Sequence, residues 1–312
     1  MAKAKIVVDA DVDAPVGEMI QRVLRTRLEE MCAWRGEALD WSDPEGVHNM
    51  RVASRRLRSA LADFKPYLRP KSLPRKQLKT IAKALGTVRD EDVALQALEK
   101  LEARVEGKIA RGIAAVFAER SRRRRQERIA LEHAISTRSL AEFQDNFLAR
   151  IETAVPDTSK ATSFRQVGVE VISHRLKEII SESECIYEPM AVKKLHRMRI
   201  LAKRLRYAVE LFAPQWAGEL KPVAKEIARL QTSLGRLHDC DVWIADIGAR
   251  LRSNMAEDNR NDPCSPEAAT WLLTHFVRGR TDRYRDALVR WQAWQENCLL
   301  ANLKSLLRSS EN

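Results

Sequence analysis

Two short segments of the chain place a histidine ahead of basic residues at identical spacing. They read VHNMRVASRRLR (47–58) and LHRMRILAKRLR (195–206). Guanidinium groups can donate two hydrogen bonds to one phosphate, lysine supplies a compact positive charge, and histidine supplies a titratable donor. Side chains of these types in series indicate a site for an anion that carries several charges.

On an α-helix, His48, Arg51, Arg55 and Arg58 fall within an arc of roughly 80°, opposite an apolar stripe, and His196, Arg199, Lys203 and Arg206 do the same in the second segment. Because like charges repel within a turn, we favour a ligand-binding face over a plain solvated one, although pairing with acids such as Asp90, Glu91 or Glu210 stays an alternative. Tyr207 is the one aromatic residue beside the stripes. The predicted contacts on these two helices are His48, Arg51, Arg55, Arg56, Arg58, His196, Arg199, Lys203, Arg204, Arg206 and Tyr207. Arg56 and Arg204 fall to one side of their stripes.

Neighbouring segments add positive charge at helical spacing. Arg75, Lys79 and Lys83 are spaced i, i+4, i+8, and so are Lys221, Lys225 and Arg229. We predict Lys79, Lys83, Lys225 and Arg229 as further contacts. The densest basic run, ERSRRRRQER (119–128), points in all directions on a helix, so it fits an anion contact and a solvated segment equally well.

The positions of the two segments reveal an internal repeat. The basic cassettes are related by an offset of 148, and LGTVRDEDV (85–93) matches LGRLHDCDV (234–242) at an offset of 149. A period this long exceeds that of solenoid repeats. It predicts a duplication that produced two similar four-helix bundles related by a pseudo-two-fold axis.

Composition is consistent with an all-α protein. The 312 residues include 11 glycines and 11 prolines, and long stretches follow the helical period. We expect helices near 16–39, 44–66, 71–86, 90–133 and 137–152, then near 164–183, 188–213, 218–236, 239–256 and 267–308. The formal net charge of +12 favours a polyanionic partner.

The compartment is expected to be the cytoplasm. Five dispersed cysteines fit buried thiols better than a disulfide framework or a zinc site. The N-terminus lacks the apolar core of a signal peptide, and no stretch of about 18 uncharged apolar residues occurs. We expect no metal and no cofactor.

The HDCD segment (238–241) is similar to the His-Asp pair of metal phosphohydrolases, which leaves an enzyme with His238 and Asp239 as one hypothesis. The matching segment in the first half has Arg89 in place of the histidine. We favour helix capping instead: Gly86 and Gly235 would end one helix, and the following aspartates would start the next.

The repeated pattern HxxRxxx[RK]RLR, each copy followed by LGxx[RH]DxDV, resembles the CHAD family of histidine-containing α-helical domains. The resemblance covers about residues 14–308, with halves at 14–155 and 160–308 after a tail at 1–13. It implies paired helical bundles with a basic groove or channel that binds inorganic polyphosphate without catalysis. It also implies residence on polyphosphate granules, with granule-associated proteins as further partners. An RNA- or DNA-binding protein using the same basic face is the alternative, disfavoured by the lack of interleaved aromatic residues.

Overall fold

The computed structural model describes residues 15–156, 163–255 and 264–308, and within these ranges it is helical with no β-strand. This confirms the all-α prediction. The helices are α1 (Val16–Ala33), α2 (Arg35–Leu39), α3 (Pro44–Asp63), α4 (Arg75–Glu102), α5 (Gly107–Ala134), α6 (Thr137–Ala154), α7 (Phe164–Ser181), α8 (Val192–Phe212), α9 (Leu220–Met255), α10 (Pro266–Glu296) and α11 (Leu299–Arg308). Short 3₁₀ helices follow α3, α7 and α8.

The chain divides into two compact units. Unit 1 contains the described residues up to Arg104 together with Val116–Phe164. Unit 2 contains Val105–Ala115 and the described residues from Arg165 onward. Helix α5 therefore contributes its first residues to unit 2 and the remainder to unit 1.

In each unit, one basic helix lies over the core with its apolar stripe inward. On α3 the stripe is fully buried, with Met50 and Leu57 at 0% exposure. On α8 the equivalent residues Met198 and Leu205 are likewise at 0%. Burial of such side chains contributes about 1.5–3 kcal/mol each, which fixes the rotation of both helices and turns their basic stripes away from the core.

Two predicted helix breaks are absent. Helix α4 runs through Gly86 and α9 runs through Gly235, so neither glycine ends a helix. Buried leucines on both sides, such as Leu234 and Leu237, keep the helical period across the motif. Gly107 and Gly218, with φ values of 64° and 91°, mark turns on entry to α5 and α9.

The prediction that the motif aspartates cap helix starts is therefore wrong. Asp90, Asp92, Asp239 and Asp241 all lie inside α4 or α9. The carboxylates of Asp90, Asp92 and Asp241 pair with arginine side chains instead of helix N–H groups.

None of the described helices combines the length and the apolar character needed to cross a bilayer. The N-terminal tail at 1–13 lies outside the described residues, as do residues 157–162 between the two predicted halves and residues 256–263 after α9.

Candidate anion-binding faces

In unit 1, helices α3 and α4 run antiparallel, with their basic residues at matching heights. Arg51 Nη2 on α3 lies 3.0 Å from Asp90 Oδ1 on α4. Ten residues further along α3, the carbonyl of Leu61 accepts a hydrogen bond of 3.2 Å from Arg75 Nη2, near the start of α4. This register places Arg55 and Arg58 level with Lys83 and Lys79, respectively.

We define face 1 as the cationic surface of this helix pair, formed by Arg51, Arg55, Arg58, Arg75, Lys79 and Lys83. On α4, Arg75, Lys79 and Lys83 fall within an arc of roughly 80° that also contains Gly86 and Asp90. Arg58 and both lysines are exposed, and Arg55 is half-buried. In the described part of the chain, no carboxylate forms an ion pair with Arg55, Arg58, Lys79 or Lys83.

Gly86 adjoins Arg51 within this helix pair. A Cβ added at Gly86 would lie 3.9 Å from Arg51 Nε, which is an ordinary van der Waals distance, so an alanine would also fit there. Asp90 is 71% exposed, which makes its pairing with Arg51 a surface ion pair of small net stability. A multivalent anion can replace such a partner at little cost.

Arg56 is held inside unit 1 by an acid and does not belong to face 1. Its Nη1 lies 2.8 Å from Glu30 Oε1, and the other oxygen of Glu30 lies 2.8 Å from Arg27 Nη1. Both side chains of the Arg56–Glu30 pair are nearly buried. The prediction of Arg56 as a ligand contact is therefore wrong, because a buried carboxylate already matches its charge.

His48 lies at the head of the α3 stripe, half-buried, with Arg89 of α4 beside it. Burial first, and then the charge of Arg89, lower the pKa of His48 below its ordinary value. Arg89 itself donates to the carbonyl of Pro44 at 3.4 Å and lies 3.7 Å from Glu45 Oε1. This corner of unit 1 therefore holds a neutral imidazole next to a permanent cation.

In unit 2, α8 and α9 form the helix pair that corresponds to α3 and α4, and here two histidines contact each other between the helices. His196 Nδ1 and His238 Nδ1 are 3.0 Å apart, and the ring centroids are 4.0 Å apart. Burial first, and then Arg199, lower the pKa of both rings, and that of His238 falls to about 4. We define face 2 as His196, Arg199, Lys203 and His238.

Arg206 and Tyr207, predicted as contacts on the second stripe, are buried instead. Arg206 Nε lies 3.3 Å from Glu210 Oε1, and its guanidinium carbon lies 5.0 Å from the centre of the Tyr207 ring. The prediction of an exposed contact at either residue is wrong. Glu210 was named as a possible partner for the stripe, and the structure places it in that role.

The remaining contacts predicted in unit 2 are exposed, and two of them have acidic partners. Arg204 lies 3.7 Å from Glu178 Oε1, and Arg229 pairs with Glu226 on its own helix. Lys225 is exposed as well. The side of α9 that corresponds to the lysine side of α4 carries Ala224, Ala228 and Thr232, so face 2 lacks the second row of cations that face 1 has.

The arginine run on α5 is largely an internal ion-pair network. Arg120 and Arg123 each lie 3.1 Å from Glu91 Oε1, and Arg124 Nε lies 2.5 Å from Asp92 Oδ1. Arg128 is 1% exposed and donates to the carbonyl of Asp40 at 3.0 Å. The acids that pair with Arg120, Arg123 and Arg124 lie on α4, whereas Arg122 and Arg125 are exposed, and for these two residues both interpretations stay predictions.

Unit 2 repeats the contact made by the second motif aspartate. Asp241 Oδ1 on α9 lies 2.6 Å from Arg280 Nε on α10, as Asp92 on α4 pairs with Arg124 on α5. Arg280 also donates to the carbonyl of Pro189 at 2.6 Å. The sequence signal was the shared DxDV motif, but the partner arginines do not align, so sequence alone could not identify the pairs.

Within the described residues, no group of three or more His, Cys, Asp or Glu side chains is arranged to hold a metal ion. His238, the residue similar to a phosphohydrolase ligand, has the His196 ring as its neighbour.

A family model, the CHAD domain, matches residues 22–247. Two uncharacterized proteins of Mycobacterium tuberculosis, from strains CDC 1551 / Oshkosh and ATCC 25618 / H37Rv, are each 24% identical over 238 residues, covering 72% of this chain and 44% of the relative. The chain thus spans less than half the length of these curated relatives.

Two solved structures share the fold. The crystal structure of the CHAD domain from the plant Ricinus communis matches with a TM-score of 0.68 at 24% identity, covering 92% of this chain and 95% of that one. PptA from Streptomyces chartreusis matches with a TM-score of 0.68 at 16% identity, covering 89% and 100%.

Proposed function

The chain belongs to the CHAD domain family, and on that premise we propose that it binds inorganic polyphosphate through face 1 and face 2 without hydrolysing it. Family membership supports a polyphosphate-related role. The observation that carries the binding mode is the row formed by Arg55, Arg58, Lys79 and Lys83, which no carboxylate matches among the described residues.

Such a row suits a flexible polymer of phosphates. Arginine can donate two hydrogen bonds to one phosphate, and lysine adds a point charge without fixed geometry. Each exposed contact contributes about 1 kcal/mol or less, so tight binding requires many contacts along one polymer. The affinity should then fall steeply with salt, as it does for other polyanions that release counterions.

The shortage of stacking platforms favours polyphosphate over a nucleic acid. Proteins that bind single strands interleave aromatic rings with cations, and each stacked base contributes about 1–3 kcal/mol. Tyr207, the one aromatic residue beside the stripes, is buried against Arg206. An RNA or DNA ligand remains the second outcome that the experiment below distinguishes.

Binding without catalysis is the part of the proposal that concerns His238 and Asp239. A phosphohydrolase would need a metal held by several His and Asp side chains, whereas His238 faces His196 and two cations. We propose that this segment contacts the anion and cleaves nothing. Metal-dependent release of orthophosphate from polyphosphate, abolished by His238→Ala, would contradict this part of the proposal.

The proposed role extends to polyphosphate granules in the cytoplasm, where the chain would anchor itself or other proteins. Each face is a binding surface in its own right, and the joining of both into one groove stays a prediction. Fluorescence microscopy of a tagged chain, in cells with and without polyphosphate synthesis, tests the granule role. Foci that persist without polyphosphate would contradict it.

A binding titration tests the central proposal. Long-chain polyphosphate is titrated onto the wild-type chain and onto the triple variant Arg55→Ala, Arg58→Ala, Lys83→Ala. Loss of three contacts of about 1 kcal/mol each should weaken the affinity by up to roughly 100-fold. A matched control removes three exposed lysines elsewhere, Lys100, Lys177 and Lys304, and so changes the net charge equally.

The outcomes separate the alternatives. Face 1 is the site if its variant loses affinity and the control variant keeps most of it. Equal losses in both variants would indicate that net charge alone attracts the polymer, against the proposal. A single-stranded RNA that competes as well as polyphosphate at equal phosphate concentration would favour the nucleic-acid alternative.

A further inference from the structure

The contact between His196 and His238 has a property that no single histidine has. Two imidazole Nδ1 atoms at 3.0 Å can form a hydrogen bond only if one of them carries a proton and the other does not. In the neutral pair, therefore, one ring has its proton on Nδ1 and the other ring has its proton on Nε2. A single added proton converts the pair into an imidazolium that donates to an imidazole across the same contact.

The charges around the pair oppose that extra proton in the free protein. On α8, Arg199 and Lys203 are close enough to disfavour a charged ring at either histidine. Asp241 on α9 attracts the proton on His196 more weakly, and Arg280 of α10 already pairs with that carboxylate at 2.6 Å.

Other carboxylates near these elements do not reverse this balance. Glu188, ahead of α8, is bonded to Lys194 at 2.9 Å. Asp239 follows His238 on α9 but is exposed to solvent, where its charge is screened. The neighbouring charges therefore lower the pKa of both rings in the free protein.

We infer that the His196–His238 pair is a proton-coupled phosphate contact: binding of polyphosphate at face 2 transfers one proton from solvent to the pair. This inference rests on the proposed function and adds His238 to the binding residues. The phosphate charge offsets Arg199 and Lys203, so the imidazolium becomes favourable when the ligand is bound. The proton comes from water or buffer, and no bond in the ligand is broken.

Unit 1 has no equivalent pair, because Arg89 occupies the position that corresponds to His238. An arginine there carries its charge at every physiological pH, whereas the histidine pair acquires charge only with the ligand. Face 2 is therefore the face whose affinity depends on pH through a shared proton.

Titration calorimetry of the full chain with long-chain polyphosphate, in buffers of different ionisation enthalpy, counts the protons taken up on binding. The background variant His48→Asn removes the histidine at the head of the α3 stripe. In that background we expect an uptake approaching one proton at pH 6, and an affinity that rises by up to tenfold per pH unit as pH falls towards 4.

Two substitutions test the pair itself. His196→Asn and His238→Asn should each remove most of the uptake, because neither ring alone can share the proton. His238→Arg, which copies the residue of unit 1, should keep the binding and remove most of the pH dependence. Thermal melting at pH 8 checks that each variant folds.

Three outcomes of these titrations distinguish proton uptake by the histidine pair from binding of the polymer. If polyphosphate binds in a salt-dependent manner but the uptake is unchanged by both asparagine substitutions, the pair is not the proton acceptor. If the losses from the two single substitutions simply add in the double variant, the rings titrate independently and the shared proton is wrong. If no binding occurs at any pH, the proposed function itself fails.

Discussion

The two units contain the same helix pair but supply its charge differently. Face 1 combines three arginines of α3 with Arg75, Lys79 and Lys83 of α4. Face 2 has the two fixed cations Arg199 and Lys203 and the two histidines, while the corresponding side of α9 is small and neutral. Face 1 therefore provides charge at any pH, and face 2 adds to its two fixed cations a histidine pair whose charge, on the inference above, depends on the ligand.

The largest expected effect concerns the second aspartate of the repeated DxDV motif, which is Asp92 in unit 1 and Asp241 in unit 2. Asp92→Ala leaves Arg124 without its partner and also removes a charge that favours the buried Arg128. We expect a loss of about 3–5 kcal/mol in the free energy of unfolding, measured by urea denaturation. Asp241→Ala should cost less, because Arg280 keeps its hydrogen bond to Pro189.

The surface pair Asp286–Arg283, at 3.4 Å, provides the control for that comparison. Asp286→Ala should change the free energy of unfolding by less than about 0.5 kcal/mol. If Asp241→Ala costs as much as Asp92→Ala, the two motif aspartates have equal structural roles and this contrast between the units disappears.

The next effect compares the two faces in binding. The unit 1 triple variant described above should lose up to roughly 100-fold in polyphosphate affinity, and Arg199→Ala with Lys203→Ala should lose about tenfold at pH 8. Fluorescence anisotropy at fixed salt measures both. Equal losses would mean that the missing row of cations on α9 is compensated, which would contradict the asymmetry between the faces.

A smaller effect concerns the stability of the free protein in acid. The pKa of His238 is about 4 in the folded chain, and an unfolded histidine titrates near its ordinary value of about 6.5. The unfolded state therefore binds the proton first, so stability should fall as pH drops from about 6.5 to 4 and change no further below that from this group.

Between pH 7 and pH 4, His238→Asn should reduce the loss in the free energy of unfolding by about 1–2 kcal/mol. This is less than the full pKa shift would give, because solvent reaches the ring and screens its charge. Thermal melting between pH 7 and pH 4 provides the measurement. His133→Asn, at an exposed position outside both faces, is the matched control. An unchanged pH profile in the His238 variant would contradict the lowered pKa.

The smallest effect concerns the two motif glycines, which are equivalent inside α4 and α9. Replacement by alanine improves helix propensity by about 1 kcal/mol. At Gly235 the new Cβ meets nothing within 4 Å, and at Gly86 its nearest neighbour is Arg51 Nε at 3.9 Å. We expect both variants to gain about 0.5–1 kcal/mol in the free energy of unfolding. A loss at either position would indicate a constraint on the backbone there.

The sequence predicted the parts of the fold that depend on helical periodicity. The buried stripe with Met50 and Leu57, and its counterpart with Met198 and Leu205, followed directly from the 3.6-residue repeat. The break at Gly86 was predicted wrongly, because a single glycine lowers helix stability by only about 1 kcal/mol and the packing of α4 outweighs it.

The candidate site was predictable only as far as residue type. Arg51, Arg55 and Arg58 could be assigned to one stripe, but the state of each charge depends on other helices. Glu30, which pairs with Arg56, lies 26 residues away in the chain. Arg124 and Asp92 are 32 residues apart. Sequence spacing specifies neighbours within a helix and gives no such information across helices.

The His196–His238 contact is another contact between helices that sequence spacing could not predict. His238 was visible as a departure from Arg89 in the first repeat, and it was considered as a metal ligand because HDCD is similar to the His-Asp pair of metal phosphohydrolases. Only the packing of α8 on α9 places the two Nδ1 atoms 3.0 Å apart. A residue that differs between two repeats therefore indicates a difference in function. The chemistry of that residue can be assigned only when the side chain that contacts it is known.

The continuity of α4 has a consequence for the way a polymer would meet this protein. Its second half is anchored to α5 through Glu91 and Asp92, and its first half, on the same unbroken 28-residue helix, presents Lys79 and Lys83. A helix of that length is about 42 Å of rigid scaffold. The lysine anchor points are therefore set before the ligand arrives, and the loss of backbone freedom on association falls on the polymer alone.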